Sequence, residues 1–217
     1  MRCRFAIWSL FVAFPACQGA PAPSMPDGTG RGLVQVDAAP PAGAPTWARP
    51  EWRQGDRFTA VQGERSPGTF VVAAVEPEVY VLDVGSGLHL RRDRDLGNLG
   101  EWVAADNAPL HLLSPVDVRY HWPLWIGKRW SCEFVDRVRG GAAMPMRASY
   151  LVEALDTVTV AAGTFEALRI VRTLHRLDAP EQFHARTHVT WYAPAVGFEV
   201  RQLAGELVEL AAHSRGK

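Results

Sequence analysis

From Arg57 onward the chain is built of short runs in which apolar and polar residues alternate, separated by Gly, Pro, Asp and Asn. Alternation with period two places successive side chains on opposite faces, so these runs predict β-strands. The candidates are Arg57 to Gln62, Thr69 to Val75, Val79 to Val84, Leu88 to Arg92, Trp130 to Val138, Ala148 to Leu155, Thr157 to Ala161, Phe165 to Leu177, His184 to Tyr192 and Phe198 to Leu203. Gly85-Ser86-Gly87 predicts a tight hairpin turn. A helical period is confined to two places. One is Gly205 to Ala212, where Leu207, Val208, Leu210 and Ala211 fit a closing helix or a last strand; the other is the short region from Leu96 to Ala105.

Two stretches are weak copies of each other. Pro50-Glu51-Trp52-Arg53-Gln54-Gly55-Asp56-Arg57-Phe58 is echoed by Pro123-Leu124-Trp125-Ile126-Gly127-Lys128-Arg129-Trp130. In each, Pro and Gly make a corner, Trp plugs the end of the core and an aromatic opens a strand. The expected fold is therefore mainly β: antiparallel sheets of two meander-like halves, about 47–119 and 120–213, packed as a sandwich or half-barrel with few short helices. Both halves belong to one domain, 47–213.

The N-terminal pattern is of another kind. Met1-Arg2-Cys3-Arg4 is basic, Phe5 to Phe14 is apolar except Ser9, and Pro15-Ala16-Cys17 follows. This order predicts a signal peptide over residues 1–16. Its apolar run is too short to span a bilayer as a helix. Phe14-Pro15-Ala16-Cys17 resembles the lipobox of bacterial lipoproteins, which implies lipidation of Cys17. Gln18, rather than Asp, follows the cysteine, and this implies the periplasmic face of the outer membrane. Cleavage near Ala16 or Gly19, releasing a soluble periplasmic protein, is the alternative. Residues 17–46 are rich in Pro, Ala and Gly and predict an extended tether.

Charge narrows the partners. The chain carries 23 basic and 23 acidic residues with no clustering, which offers no electrostatic footprint for nucleic acid and leaves a lipid anchor as the expected contact with membrane. Three cysteines make no disulfide framework. Cys132 shares a strand face with Trp130 and Phe134 and is expected as a small buried hydrophobe. Without lipidation, Cys17 could bridge to it or to a second chain.

Three stretches carry a resemblance. Trp122-Pro123-Leu124-Trp125-Ile126-Gly127-Lys128-Arg129-Trp130, Val158-Thr159-Val160-Ala161-Ala162-Gly163-Thr164-Phe165-Glu166-Ala167-Leu168-Arg169-Ile170 and Trp191-Tyr192-Ala193-Pro194-Ala195-Val196-Gly197 resemble motifs of a large group of secreted bacterial β-rich proteins and lipoproteins of unknown function. Ala161 stands where that group has Pro, and Ala195 where it often has Gly. The group is similar in style to envelope proteins that curve a sheet around a hydrophobic interior, an analogy of fold alone. Residue by residue these positions read as structural: Gly163 turns one strand into the next, and Pro194 ends one.

On a strand, His184, Arg186, His188, Thr190 and Tyr192 share one face, and Phe183, Ala185, Val189 and Trp191 the other. The four-residue histidine spacing matches helical zinc sites, but an Arg between the two histidines opposes a cation, so no metal is expected. His184, Arg186, His188 and Tyr192 form the candidate binding face. Trp122, Trp125 and Trp130 are the candidate aromatic pocket, weighed against plain core packing. Glu133, Asp136, Glu153, Asp156, Glu166 and Glu199 alternate with apolar residues as outer-face residues do. No nucleophile elbow and no phosphate loop occurs, so no catalytic residue and no cofactor is assigned and the chain is not expected to be an enzyme. The expected function is a non-catalytic envelope lipoprotein binding an envelope protein. Its alternatives are a carrier or sensor of an apolar ligand in a curved sheet, and a hydrolase with a dispersed site.

Overall fold

The computed structural model describes residues 30–182 and 184–216. The signal peptide and Cys17 lie outside them. Among the described residues there are thirteen strands: β1 Leu33–Val36, β2 Arg57–Gln62, β3 Gly68–Val75, β4 Val79–Asp83, β5 Leu88–Asp93, β6 Asn98–Val103, β7 Pro109–Asp117, β8 Arg129–Val138, β9 Met144–Val160, β10 Gly163–Arg176, β11 Arg186–Ala193, β12 Phe198–Ala204 and β13 Glu206–Ser214. The one helical element among the described residues is a 3-10 turn at Pro180–Gln182. The two regions of helical period are strands, β6 and β13. Both cross the barrel wall, where backbone pairing and a half-buried face override a short apolar period.

Every strand from β2 to β13 pairs antiparallel with its neighbours in sequence, and β13 pairs back onto β2, with Leu210 opposite Ala60. Twelve strands thus close a barrel. The sandwich or half-barrel expectation is overturned here. The chain does divide into two six-strand meanders, β2–β7 and β8–β13, but they join edge to edge at two seams, β7–β8 and β13–β2, instead of stacking face to face. Closure satisfies the edge amides and carbonyls that a sandwich would leave unpaired.

The two corner motifs adopt matching roles. Gly55 and Gly127 both have positive φ, 88° and 92°, a region that side chains disfavour. The Gly55 amide donates to Val72 O and Val72 N returns a bond to Asp56 O; Gly127 N donates to Val152 O and Val152 N returns to Lys128 O. Trp52 and Trp125 are buried beside these corners, and Phe58 and Trp130 are the first inward residues of β2 and β8. The residue after the glycine is a buried charge in both. Asp56 accepts from Arg53 N and Gly216 N; Lys128 Nζ donates to His121 O and Pro123 O.

A twelve-strand barrel is wider than the eight strands whose interior side chains fill unaided. Large aromatics take up much of the extra space, among them Tyr80, Phe134, Tyr150, Tyr192 and Phe198. The connection 118–128 contributes Val118, Tyr120 and Leu124 to the same core. Outward, the wall carries ion pairs such as Arg169 with Glu153 and Asp156. The interior is mainly apolar, with Arg92 and Asp117 among its buried charges. No helix among the described residues is long and apolar enough to cross a membrane.

β1 is an addition to this wall. It lies in the segment expected as tether and pairs with the first half of β8, Leu33 opposite Cys132 and Val36 opposite Trp130. β7 occupies only the second half of that edge, from Val135 to Val138.

Candidate functional site

The barrel has two unlike ends. At one, the corners and the connection 118–128 bring Trp52, Trp125 and Tyr120 into the core. At the other, β2, β10 and β12 end and β11 and β13 begin. A half-open cavity of about 160 Å³ is lined by Ala60, Phe70, Leu90, Phe198, Val208 and Leu210, with Asn98 and Gln202 as neutral polar groups. Arg92, Arg119 and Glu199 complete its lining.

Glu199 is in the lumen because of a bulge. Between β11 and β12 the register shifts, so that Trp191 faces Arg201 but Tyr192 faces Glu199. The extra residue, Val200, turns Glu199 to the side of Tyr192, as bulges re-aim side chains. The expectation that Glu199 belongs to the outer face is corrected accordingly. Its Oε1 accepts the Tyr120 hydroxyl at 2.8 Å and Arg92 Nη1 at 3.2 Å. Arg119 Nη1 stands 3.8 Å away, an ion-pair distance too long for a hydrogen bond. Burial acts to raise the Glu199 carboxyl, but Arg92, Arg119 and the tyrosine hydrogen bond outweigh it and hold it at about 2. Burial and the neighbouring carboxylate push the Tyr120 hydroxyl up, so it stays a proton donor.

A second polar cluster sits beside the first. Asp117, 2% exposed, accepts from the Tyr150 hydroxyl and, at 2.8 Å, from Arg172 Nη2. Arg172 Nε also donates to Tyr150 Oη at 3.0 Å, and Arg172 Nη1 lies 3.4 Å from His188 Nδ1. Arginine can only donate, so Nδ1 is the acceptor and the imidazole proton sits on Nε2. Burial, then the Arg172, Arg119 and Arg186 cations, lower His188, which keeps it neutral. A water-sized void of about 10 Å³, bounded by Arg119, Tyr150, Arg172 and Thr190 among others, separates the two clusters.

The candidate binding face is split by depth. Tyr192 and Thr190 are buried, His188 is half-buried, and Arg186 and His184 are exposed where β11 begins. The face that reads as polar is the lumen face, and Trp191, on the other, lies on the outer wall with its Nε1 donating to Asp156. The aromatic triplet is not brought together around one space. Trp130 stacks on Tyr150 and donates to Val118 O. Trp122 stacks on Tyr120 and donates to Asp95 O. Trp125 lies under Lys128 Nζ at 4.1 Å. None of the three lines the lumen cavity. Cys132 is fully buried, and burial followed by the Asp117 charge pushes its thiol up, away from the reactive thiolate.

Arg92, Arg119 and Glu199 escape sequence reasoning, though one signal was present. Arg92 continues the row of Leu88 and Leu90, so it is a cation on the apolar face of a strand. Arg172 continues Leu168 and Ile170 in the same way.

No protein-family model and no curated protein matches the chain. Among solved structures it is similar to the hypothetical lipoprotein YmcC from Escherichia coli K12, at 12% identity with a TM-score of 0.48, over 77% of this chain and 92% of that one. It is also similar to a candidate lipoprotein from Parabacteroides distasonis, at 10% identity with a TM-score of 0.43, over 78% of this chain and 99% of that one.

Proposed function

We propose that this protein is a non-catalytic binding module of the cell envelope that takes a small ligand with an apolar body into a half-open cavity of its barrel. The observation that carries this reading is the half-open cavity of about 160 Å³ with its Phe70, Leu90, Phe198, Val208 and Leu210 lining. A cavity of about 150 Å³ holds a benzene-sized molecule, so the ligand has roughly that bulk and not the bulk of a diacyl lipid. The envelope location rests on the Met1 to Cys17 pattern and its lipobox resemblance. The non-catalytic reading rests on the commitment of the lumen's polar groups to one another: Glu199 is held ionised by two arginines, and Asp117 is held by Tyr150 and Arg172.

Benzyl alcohol is a suitable neutral probe. Titration followed by amide chemical shifts should move the signals of Ala60, Phe70, Val208 and Leu210, and Ala60→Phe, which fills the space, should abolish the effect while the fold is kept. The reading fails if the probe shifts none of these residues, or if the filled variant binds it as well as the parent does.

A further inference from the structure

The charges lining the cavity do not balance. Two guanidiniums, Arg92 and Arg119, share the single carboxylate of Glu199, and of its neighbours Tyr120 is neutral. Arg201, which also lines the space, is already matched by Glu209 at 2.7 Å. One positive charge is left over in a site of low exposure. Independently, the Nε–H of Arg92, a residue 4% exposed, is buried with no hydrogen-bond partner among the described residues. Buried donors are nearly always satisfied, and an exception calls for a missing partner. Arg119 lacks a close partner too, since its approach to Glu199 is 3.8 Å.

We infer that the ligand is a small monocarboxylate, its apolar body against Phe70, Leu90, Val208 and Leu210 and its carboxylate on Arg92 and Arg119. The inference rests on the reading of this cavity as a ligand site and names the ligand's chemical class. A single negative charge neutralises the excess; a dianion such as a phosphate monoester would reverse it. A carboxylate is also planar and fits a guanidinium edge through two parallel hydrogen bonds, which the Arg119 guanidinium, at 3.8 Å from Glu199, is placed to supply. Gln202 and Asn98 provide neutral donors for a further polar substituent. The His188 imidazole, near neutral pH, adds no competing charge.

The test compares benzoate with benzyl alcohol, equal in bulk and different in charge, on the full chain by calorimetric titration. Benzoate should bind about tenfold or more tightly than the alcohol, as charge-assisted pairing outweighs neutral bonding. Arg119→Gln, which leaves the Arg92–Glu199 pair in place, should reduce that preference by about tenfold. Glu199→Gln, which removes the competing carboxylate, should increase it, with circular dichroism verifying that each variant is folded. Inorganic phosphate should compete less well than acetate at equal concentration. Equal affinity for benzoate and benzyl alcohol overturns the inference and leaves the apolar site standing; binding of neither probe overturns both. A preference unchanged in Arg119→Gln and Glu199→Gln, or phosphate competing better than acetate, also overturns it.

Discussion

Glu199 faces Tyr192 because a bulge in β12 turns it inward, and its charge is then fixed by Arg92, Arg119 and Tyr120. A carboxyl held at about 2 in the folded chain, against an ordinary value of 4.5, binds fewer protons folded than unfolded throughout that interval. Its contribution is therefore present above about pH 4.5 and is lost as pH falls towards 2. The shift corresponds to about 3 kcal/mol at neutral pH. Denaturant unfolding of the parent and of Glu199→Gln should differ most at pH 7, and the gap should close between pH 4.5 and 2. A gap independent of pH would mean that the carboxylate charge contributes nothing. The residues of this site were legible only as irregularities. Arg92 and Arg172 break the apolar rows of β5 and β10, and both prove to face the lumen. Arg119 lies in a connection with no alternation to place it, and Glu199 alternates as an outward residue until a bulge intervenes. Within β11 the row His188, Thr190 and Tyr192 faces inward while Arg186 is exposed and His184 precedes the strand; period two cannot tell the inside of a barrel from its outside when polar groups occupy the lumen.

Elements with clean alternation and glycine-bounded ends, β2 to β5, β8 and β10 to β12, are readable to within a few residues. The two runs Ala148 to Leu155 and Thr157 to Ala161 are instead one strand, β9, that begins at Met144 and keeps Asp156 in the ladder opposite Ala167. The other exceptions share a cause. β7 holds Pro109 and Pro115, residues that mark breaks in a single sequence, and β6 is interrupted by Gly100. β1 sits in a Pro-, Ala- and Gly-rich stretch and becomes a strand only because β7 leaves half of the β8 edge free. Its attachment depends on Gly32. Gly32 O accepts from Glu133 N at 2.8 Å, and a Cβ at Gly32, where φ is +66°, would stand 2.2 Å from Glu133 O. Gly32→Ala should therefore undock β1 and leave the barrel closed. Hydrogen exchange is expected to lose protection at the β1 amides and at Glu133, with β9 to β13 unchanged and a melting temperature lower by several degrees, as for a loss of about 1–2 kcal/mol. Uniform loss of protection would show β1 to be part of the cooperative wall. The bared β8 edge should also raise the tendency to associate, which light scattering would detect.

At the scale of the molecule, the two seams that close the barrel differ in what they ask of the chain. β7 and β8 are consecutive and need only the connection 118–128, whereas β13 meets β2 across about 150 residues, the costlier closure in chain entropy. The second seam is also latched at its end by a buried charge. Asp56, 0% exposed, accepts from Arg215 Nη1 at 3.0 Å and from the amide of Gly216 at 2.8 Å just beyond β13, as well as from Arg53 N at 2.9 Å before β2. A contact that joins the two ends of the described barrel rewards the chain only after the wall between them is in place, so it belongs late in folding. Asp56→Ala leaves buried donors without an acceptor, at a cost of about 3 kcal/mol. If the latch forms after the transition state, that cost appears almost wholly in the unfolding limb of the chevron. The unfolding rate should rise by about 100-fold while the refolding rate stays within about twofold of the parent. Comparable changes in both limbs would place the β13–β2 seam inside the folding nucleus and make the long-range closure, not the local meanders, the event that organises the barrel.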